Sequence, residues 1–457
     1  MIINVTTMDA QQKKSFFKRF WWIGFLGIAA IAVVVIVMNG SKFSSNSEAI
    51  NKKEITEKQT TKSNNTLQST INKPCPANLS GILTYPFMES KYIAALTPLG
   101  NINPPGHTSP VDHVYFATTY EGRIPLYAPA DAVITSILID SVQDDQGTYT
   151  PTGYVISYTV CDGVVLDFAA YTDVIQPIKD AIANLSPSCT YGIEKSEHEK
   201  AGGQCGYQLS YPVTAGQEIG WVQAIKRSEG ELNLPFEIWA ANYNEPAPSQ
   251  TNWEYYNDDR YAHIICLFDL YTGDLKKQYE QKFGRWETGD YKDPFTGTIT
   301  PNPSGGMFIP RTVEPLCGQV DQDVTDTIQG MWFSQKPDNN DKSGNIAGTG
   351  QGLAIVHDNL NPTLGVVSIG GELTGALDGS FLFVPEHEGT VNREPSEVTA
   401  DGKVYCYDTR SKSWGDQSTA GQKILVQLID SHHLIAENKS GSCLAEEIIS
   451  TPYQFER

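Results

Sequence analysis

Two imidazoles and a carboxylate fall within seven residues in the segment Gly106-His107-Thr108-Ser109-Pro110-Val111-Asp112-His113. Histidine nitrogen and aspartate oxygen are ordinary ligands of zinc, so the grouping points to metal binding, although the same residue types beside Gly and Pro also serve as solvated loop residues. A further carboxylate, Glu237, lies in Asn233-Leu234-Pro235-Phe236-Glu237-Ile238, where positions 233, 235 and 237 would share one face of a strand. His107, Asp112, His113 and Glu237 are therefore the candidate metal set, a pair of histidines and carboxylates with open coordination positions. His432-His433 and Glu386-His387-Glu388 have no third partner at ligand spacing and read as solvated loop residues. No Ser-His-Asp or Cys-His arrangement emerges, and no catalytic residue is assigned.

The elements that must hold these residues read as mainly β. Charged residues are only 19% of 457, Gly (39) and Pro (26) are plentiful, and Tyr (22) outnumbers Phe (17), which suits short strands joined by turns. A chain of this length exceeds one ordinary core, so two folded domains are expected. In the first, 75–286, the β-prone runs include 133–139, 154–161, 163–169, 218–222, 234–240 and 262–268, and residues 173–185 carry apolar side chains at helical spacing. Residues 287–315 hold five prolines and four glycines and read as an inter-domain linker. The second domain, 316–457, returns to β-prone runs at 352–357, 366–370, 380–384, 403–408, 423–429 and 433–436.

The formal net charge of −20 is the wrong sign for a protein that neutralises phosphates, so nucleic acid is excluded as a partner. The N-terminus runs the other way: Lys13, Lys14, Lys18 and Arg19 against Asp9 give +3 ahead of residues 20–38, which are 19 residues without a charge. That run is long enough to span a hydrocarbon core, and the basic residues before it place 1–19 in the cytoplasm. The expectation is a single-pass plasma-membrane anchor rather than a cleaved signal peptide, whose apolar run is typically shorter. Residues 39–74, rich in Ser, Thr, Asn, Lys and Glu, read as a disordered stalk. All eight cysteines lie beyond the apolar run and none is spaced as CxxC, which fits disulfides outside the cytoplasm. Cys189 with Cys205 and Cys406 with Cys443 are the expected pairs, and the other four are open.

In the first domain the order of segments resembles the lysostaphin-type zinc endopeptidases, which cut peptide crosslinks in cell walls. Their His-x-x-x-Asp ligand motif is matched by His107 and Asp112 with one residue too many between them. Leu126-Tyr127-Ala128-Pro129-Ala130-Asp131-Ala132-Val133 and Val213-Thr214-Ala215-Gly216-Gln217-Glu218-Ile219-Gly220 match the two elements that follow. The resemblance covers about residues 95–245. Its closing His-x-His-Phe-Glu falls on Asn233-Leu234-Pro235-Phe236-Glu237, so one zinc ligand is replaced by Pro235 and one catalytic histidine by Asn233. The further catalytic histidine falls near Ala170. Proline has no ligand atom, so the resemblance implies a scaffold without hydrolysis. In the second domain Gly330-Met331-Trp332 resembles the Gly-x-Trp start of lipocalin-like barrels, in which an Arg near the last strand stacks on that Trp; Arg457 would be that residue.

The reading is thus a membrane-anchored, extracytoplasmic cell-envelope protein with a degenerate lysostaphin-like β domain and a lipocalin-like or generic β barrel. It is expected to bind a cell-wall glycan, peptide or envelope protein without catalysis and without a resident cofactor. Two alternatives stand beside it: a zinc metallopeptidase with a rearranged site, and a carrier of a small ligand in the second barrel.

Overall fold

The computed structural model describes residues 73–457 except for internal stretches, the longest being 194–201, 226–232, 335–351, 371–378 and 412–421. The expected membrane segment 20–38 and most of the stalk lie outside the described residues. Among the described residues no helix is long and apolar enough to cross a membrane.

The fold is mainly β. Its first half runs β1 (Ala95–Thr97), β2 (Val114–Thr118), β3 (Gly122–Tyr127), β4 (Ala132–Gln143), β5 (Tyr149–Cys161), β6 (Val164–Tyr171), β7 (Asp173–Val174), helix α1 (Gln176–Ile182), β8 (Ser188–Ile193), β9 (Gly202–Val213), β10 (Glu218–Ala224) and β11 (Asn233–Asn242). Eight strands form one antiparallel sheet in the order β1-β2-β11-β6-β5-β4-β9-β8, while β3, β10 and β7 form a smaller one. Period-two alternation gives the large sheet two unlike faces. Phe236 and Ile238, Leu166 and Phe168, Ile156 and Tyr158 are all buried in one core. On the opposite face Trp239, Asp167, Ser157 and Ser136 are successive cross-strand neighbours, a polar row running across four strands. At the centre of the core Phe87 packs on Phe116, Phe168, Phe236 and Tyr279 with ring centroids 5.0 to 5.9 Å apart. Gly220 is dictated by contact: a Cβ there would lie 2.4 Å from the Asp173 carbonyl oxygen, where β7 pairs with β10.

Residues 262–268, expected as a strand, instead lie in and between two 3-10 turns, Asp259–His263 and Leu267–Leu270. An unbroken apolar run looks alike in a buried strand and a buried turn, and here Cys266 is bonded to Cys317. After α2 (Gly273–Glu280), β12 (Gly284–Glu287) pairs with β15 (Met307–Pro310), and between them β13 (Tyr291–Lys292) pairs with β14 (Ile299–Thr300). The Pro- and Gly-rich stretch 287–315 is thus a set of short antiparallel pairs looped out inside the Cys266–Cys317 disulfide. The remaining disulfides are Cys75–Cys161, Cys189–Cys205 and Cys406–Cys443, which include both expected pairs. The longer loops they close, 86 and 51 residues, would each remove roughly 4 kcal/mol of chain entropy from the unfolded state.

The second half is built from β16 (Gly330–Phe333), β17 (Gly352–His357), β18 (Gly365–Gly370), β19 (Gly379–Phe383), β20 (Tyr405–Asp408), β21 (Arg410–Ser411), β22 (Gln422–Leu428), β23 (His433–Ser440) and β24 (Tyr453–Glu456). Their order is β20-β22-β23-β24-β16-β17-β18-β19-β21, so the two margins of the ribbon are strands separated by a single residue of chain. With β20 and β21 counted as one interrupted strand, the result is a nearly closed eight-stranded barrel with up-and-down connections. Its interior is filled by large side chains, among them Trp332, Phe381, Phe383, Tyr407 and Phe455. The outer face of β16 to β19 is buried as well: Met331, Phe333, Val356 and Val366 pack with Ile102 and Tyr255 of the first half.

Arg457 caps one end of the barrel. Its guanidinium lies 4.1 Å from the Trp332 ring centroid and donates to the carbonyls of Gln329, Thr327 and Val324. Gly330 is required beside it, because a Cβ would stand 2.2 Å from Asp323 Oδ1 and 3.0 Å from the Arg457 guanidinium. Replacing Arg457 by Ala removes the cation–π contact and leaves buried carbonyls without donors, and should cost on the order of 3 kcal/mol in urea unfolding with the disulfides intact. On β23, burial alone would raise the Glu437 carboxyl, but donors from Ser450, Thr451 and Lys439 bring it down to about 2. A depressed carboxylate contributes stability above its unfolded value and loses it as pH falls through the folded one. Wild type should therefore lose more stability than Glu437→Gln as pH drops from about 4.5 toward 2, read from unfolding midpoints across that range.

Candidate functional site

The four candidate residues converge at the edge of the large sheet's polar face. Glu237 on β11 sits opposite Tyr115 of β2 on one side and Ala169 of β6 on the other, and Trp239 sits opposite Asp167. The loop before β2 brings in the rest. It is pinned by reciprocal backbone bonds from Gly100 to Val111 and from Val111 to Asn101, and by Leu99 donating to the Cys317 carbonyl.

Asp112, 2% exposed, is the hub. Its Oδ1 lies 2.8 Å from His113 Nδ1 and accepts from Trp239 Nε1 at 2.9 Å, and its Oδ2 is 3.2 Å from the Arg260 guanidinium. Arg260 also reaches Asp167 Oδ2 at 3.4 Å and lies over the Trp239 ring. Burial would raise the Asp112 carboxyl, but the His113 hydrogen bond, the Arg260 charge and Trp239 hold it below the usual carboxylate range. An ionised Asp112 can only accept, so this contact places a proton on His113 Nδ1.

His113 Nε2 is buried without a hydrogen-bond partner and faces Glu237 Oε2 at 4.0 Å. Burial, assisted by the Asp112 charge and opposed by His113, raises the Glu237 carboxyl. The His107 ring lies 5.6 Å from that of His113, and its Nε2 is 2.8 Å from the Tyr115 hydroxyl. Burial and the neighbouring His113 lower the His107 imidazole, favouring the neutral ring. Among the described residues no group of three or more His, Cys, Asp or Glu side chains has the geometry to hold a metal ion.

Of the expected His107 and Asp112 pair, Asp112 is committed to Arg260, Trp239 and His113, and His107 to the Tyr115 hydroxyl. Pro235 and Asn233 lie on β11 ahead of Glu237, next to a register shift between 233 and 236. Ala170 has a φ of 66°, a conformation uncommon for a residue with a Cβ. Elsewhere, His387 pairs with Glu397 and His433 with Asp430, at 2.8 Å each. Sequence reasoning missed Trp239 and Arg260. Trp239 follows Glu237 by two on the same strand face and was detectable from that period; Arg260 carries no local signal.

Removing one partner of this buried pair exposes the value of the other. Arg260→Met should destabilise by about 3 kcal/mol, and adding Asp112→Asn should recover part of that loss in a double-mutant cycle of chemical unfolding. Compared with known protein families, characterised proteins and solved structures, the chain matches none.

Proposed function

We propose that this chain is a membrane-anchored, extracytoplasmic cell-envelope protein whose first half is a peptidase-like module that binds without cleaving. The observation that carries the reading is the commitment of Asp112 to Arg260, Trp239 and His113. A carboxylate so engaged is a structural anion and an orienter of His113 rather than a ligand of a hydrolytic metal. The sequence departures agree: proline and asparagine stand at two of the positions where lysostaphin-type peptidases carry histidine, and Ala170 stands near a third. Placement outside the membrane is supported by four disulfides and by the charge step across residues 20–38. The ligand class that fits is a wall glycan, a wall peptide or another envelope protein.

The second half we read as a lipocalin-like barrel serving as a structural support. The meander order, the Gly330-Met331-Trp332 start and the Arg457 stack on Trp332 support that likeness. Large side chains fill the interior, which favours support over carriage of a small ligand.

The full-length protein, incubated with crosslinked wall peptides in the presence of added zinc, should release no cleavage product while sedimenting with insoluble cell wall. Chelator-sensitive cleavage of those peptides would replace this reading with the metallopeptidase one.

A further inference from the structure

His113 Nε2 and Glu237 Oε2 face each other at 4.0 Å. The 4.0 Å between them is too long for a direct hydrogen bond, so the space suits a small electron-poor partner that both atoms approach. His113 is 6% exposed, and its Nε2 is buried without a hydrogen bond. A buried polar atom left without a partner is destabilising unless something occupies the space before it.

We infer that His113 Nε2 and the Glu237 carboxylate form the seat of a first-row divalent cation such as Zn2+, with Asp112 acting behind His113 and not on the metal. Three features carry this. Asp112 holds His113 Nδ1 at 2.8 Å, the arrangement in which an outer carboxylate fixes the tautomer and aim of a ligating imidazole. Metal bonds of about 2.0–2.2 Å at a tetrahedral angle place nitrogen and oxygen roughly 3.4 Å apart, so the pair must close by only about 0.6 Å. Glu237 has the freedom to do so: its side chain is 35% exposed, while His113 is held by Asp112 and packed on Trp239 and Tyr115. His107, held now by the Tyr115 hydroxyl, is the nearest further imidazole, and water or a ligand oxygen would have to supply the remaining positions. The seat is narrower than the set expected from sequence: His113 and Glu237 stay in the inner sphere and Asp112 leaves it to stand behind His113. It stands on the geometry of these side chains and does not require the binding function proposed above.

The test is equilibrium dialysis of the full-length protein against Zn2+ with the metal quantified, for wild type and Glu237→Gln. Unfolding of both proteins without metal serves as a check that the fold is intact. One zinc per chain in wild type, bound at least tenfold more weakly in Glu237→Gln with unchanged metal-free unfolding, is the expected result. The exposed His432-His433 pair is the competing adventitious site, so a His432→Ala/His433→Ala variant should keep the Glu237-dependent zinc. Absence of stoichiometric zinc from wild type, undiminished binding in Glu237→Gln, or loss of all zinc with the His432-His433 pair would each overturn the seat. Zinc binding accompanied by peptide cleavage would leave the seat standing and overturn only the non-catalytic reading.

Discussion

A single buried negative charge organises the site. Taking the Asp112 carboxylate out of water costs several kcal/mol, and the cost is offset only when Arg260, His113 and Trp239 reach it together. These partners come from three separate segments: the loop before β2, strand β11 and the 3-10 turn at Asp259–His263. Docking of the three is therefore one event, and the same contacts set the tautomer of His113. The geometry at Nε2 is a by-product of charge compensation two bonds of logic away.

The barrel completes this arrangement from behind. Strands β16 to β18 are buried on both faces, which is why they read as continuous apolar runs rather than alternating ones. One face fills the barrel and the other receives Ile102 and Tyr255, with Tyr255 stacked on Phe333 at 5.1 Å. Asn359, in the turn between β17 and β18, donates to the Pro98 carbonyl, and Arg311 donates to the Asn359 carbonyl. The segment leading to His107 and Asp112 is thus braced by the second half as well as by its own backbone bonds.

Much of the scaffold was legible in the sequence because it rests on local signals. β-Prone runs located strands β4 to β6, β10, β11, β17 to β20, β22 and β23, and the apolar spacing over 173–185 corresponds to α1 at Gln176–Ile182, where Ile178 and Ile182 are buried. Cys189 and Cys205 were readable because they flank one short excursion, and they prove to be directly opposite on β8 and β9. Trp332 and Arg457 could be joined from a three-residue pattern and a terminal position. What stayed hidden depends on contacts distant in sequence. Nothing near Arg260 announces a carboxylate at Asp112, and the apolar run beside it disguises a turn as a strand. In 287–315, proline and glycine report where the chain turns but not which flanks then pair, so β12 and β15 could not be matched in advance.

One pairing sets a timetable for the molecule. Phe333 on β16 has Glu456 on β24 as its partner, so the barrel's first strand keeps one edge open until β24 has been made. The strands of the first half, by contrast, end at Asn242, and its core is completed by Phe268, Tyr279, Phe283 and Cys317, all made before β16, so it can fold while synthesis continues. During that interval an apolar strand with free backbone donors and acceptors is offered to any neighbour, and the already folded half supplies cover for its other face. The critical moment in the barrel's assembly is therefore the arrival of β24, which shuts the ring.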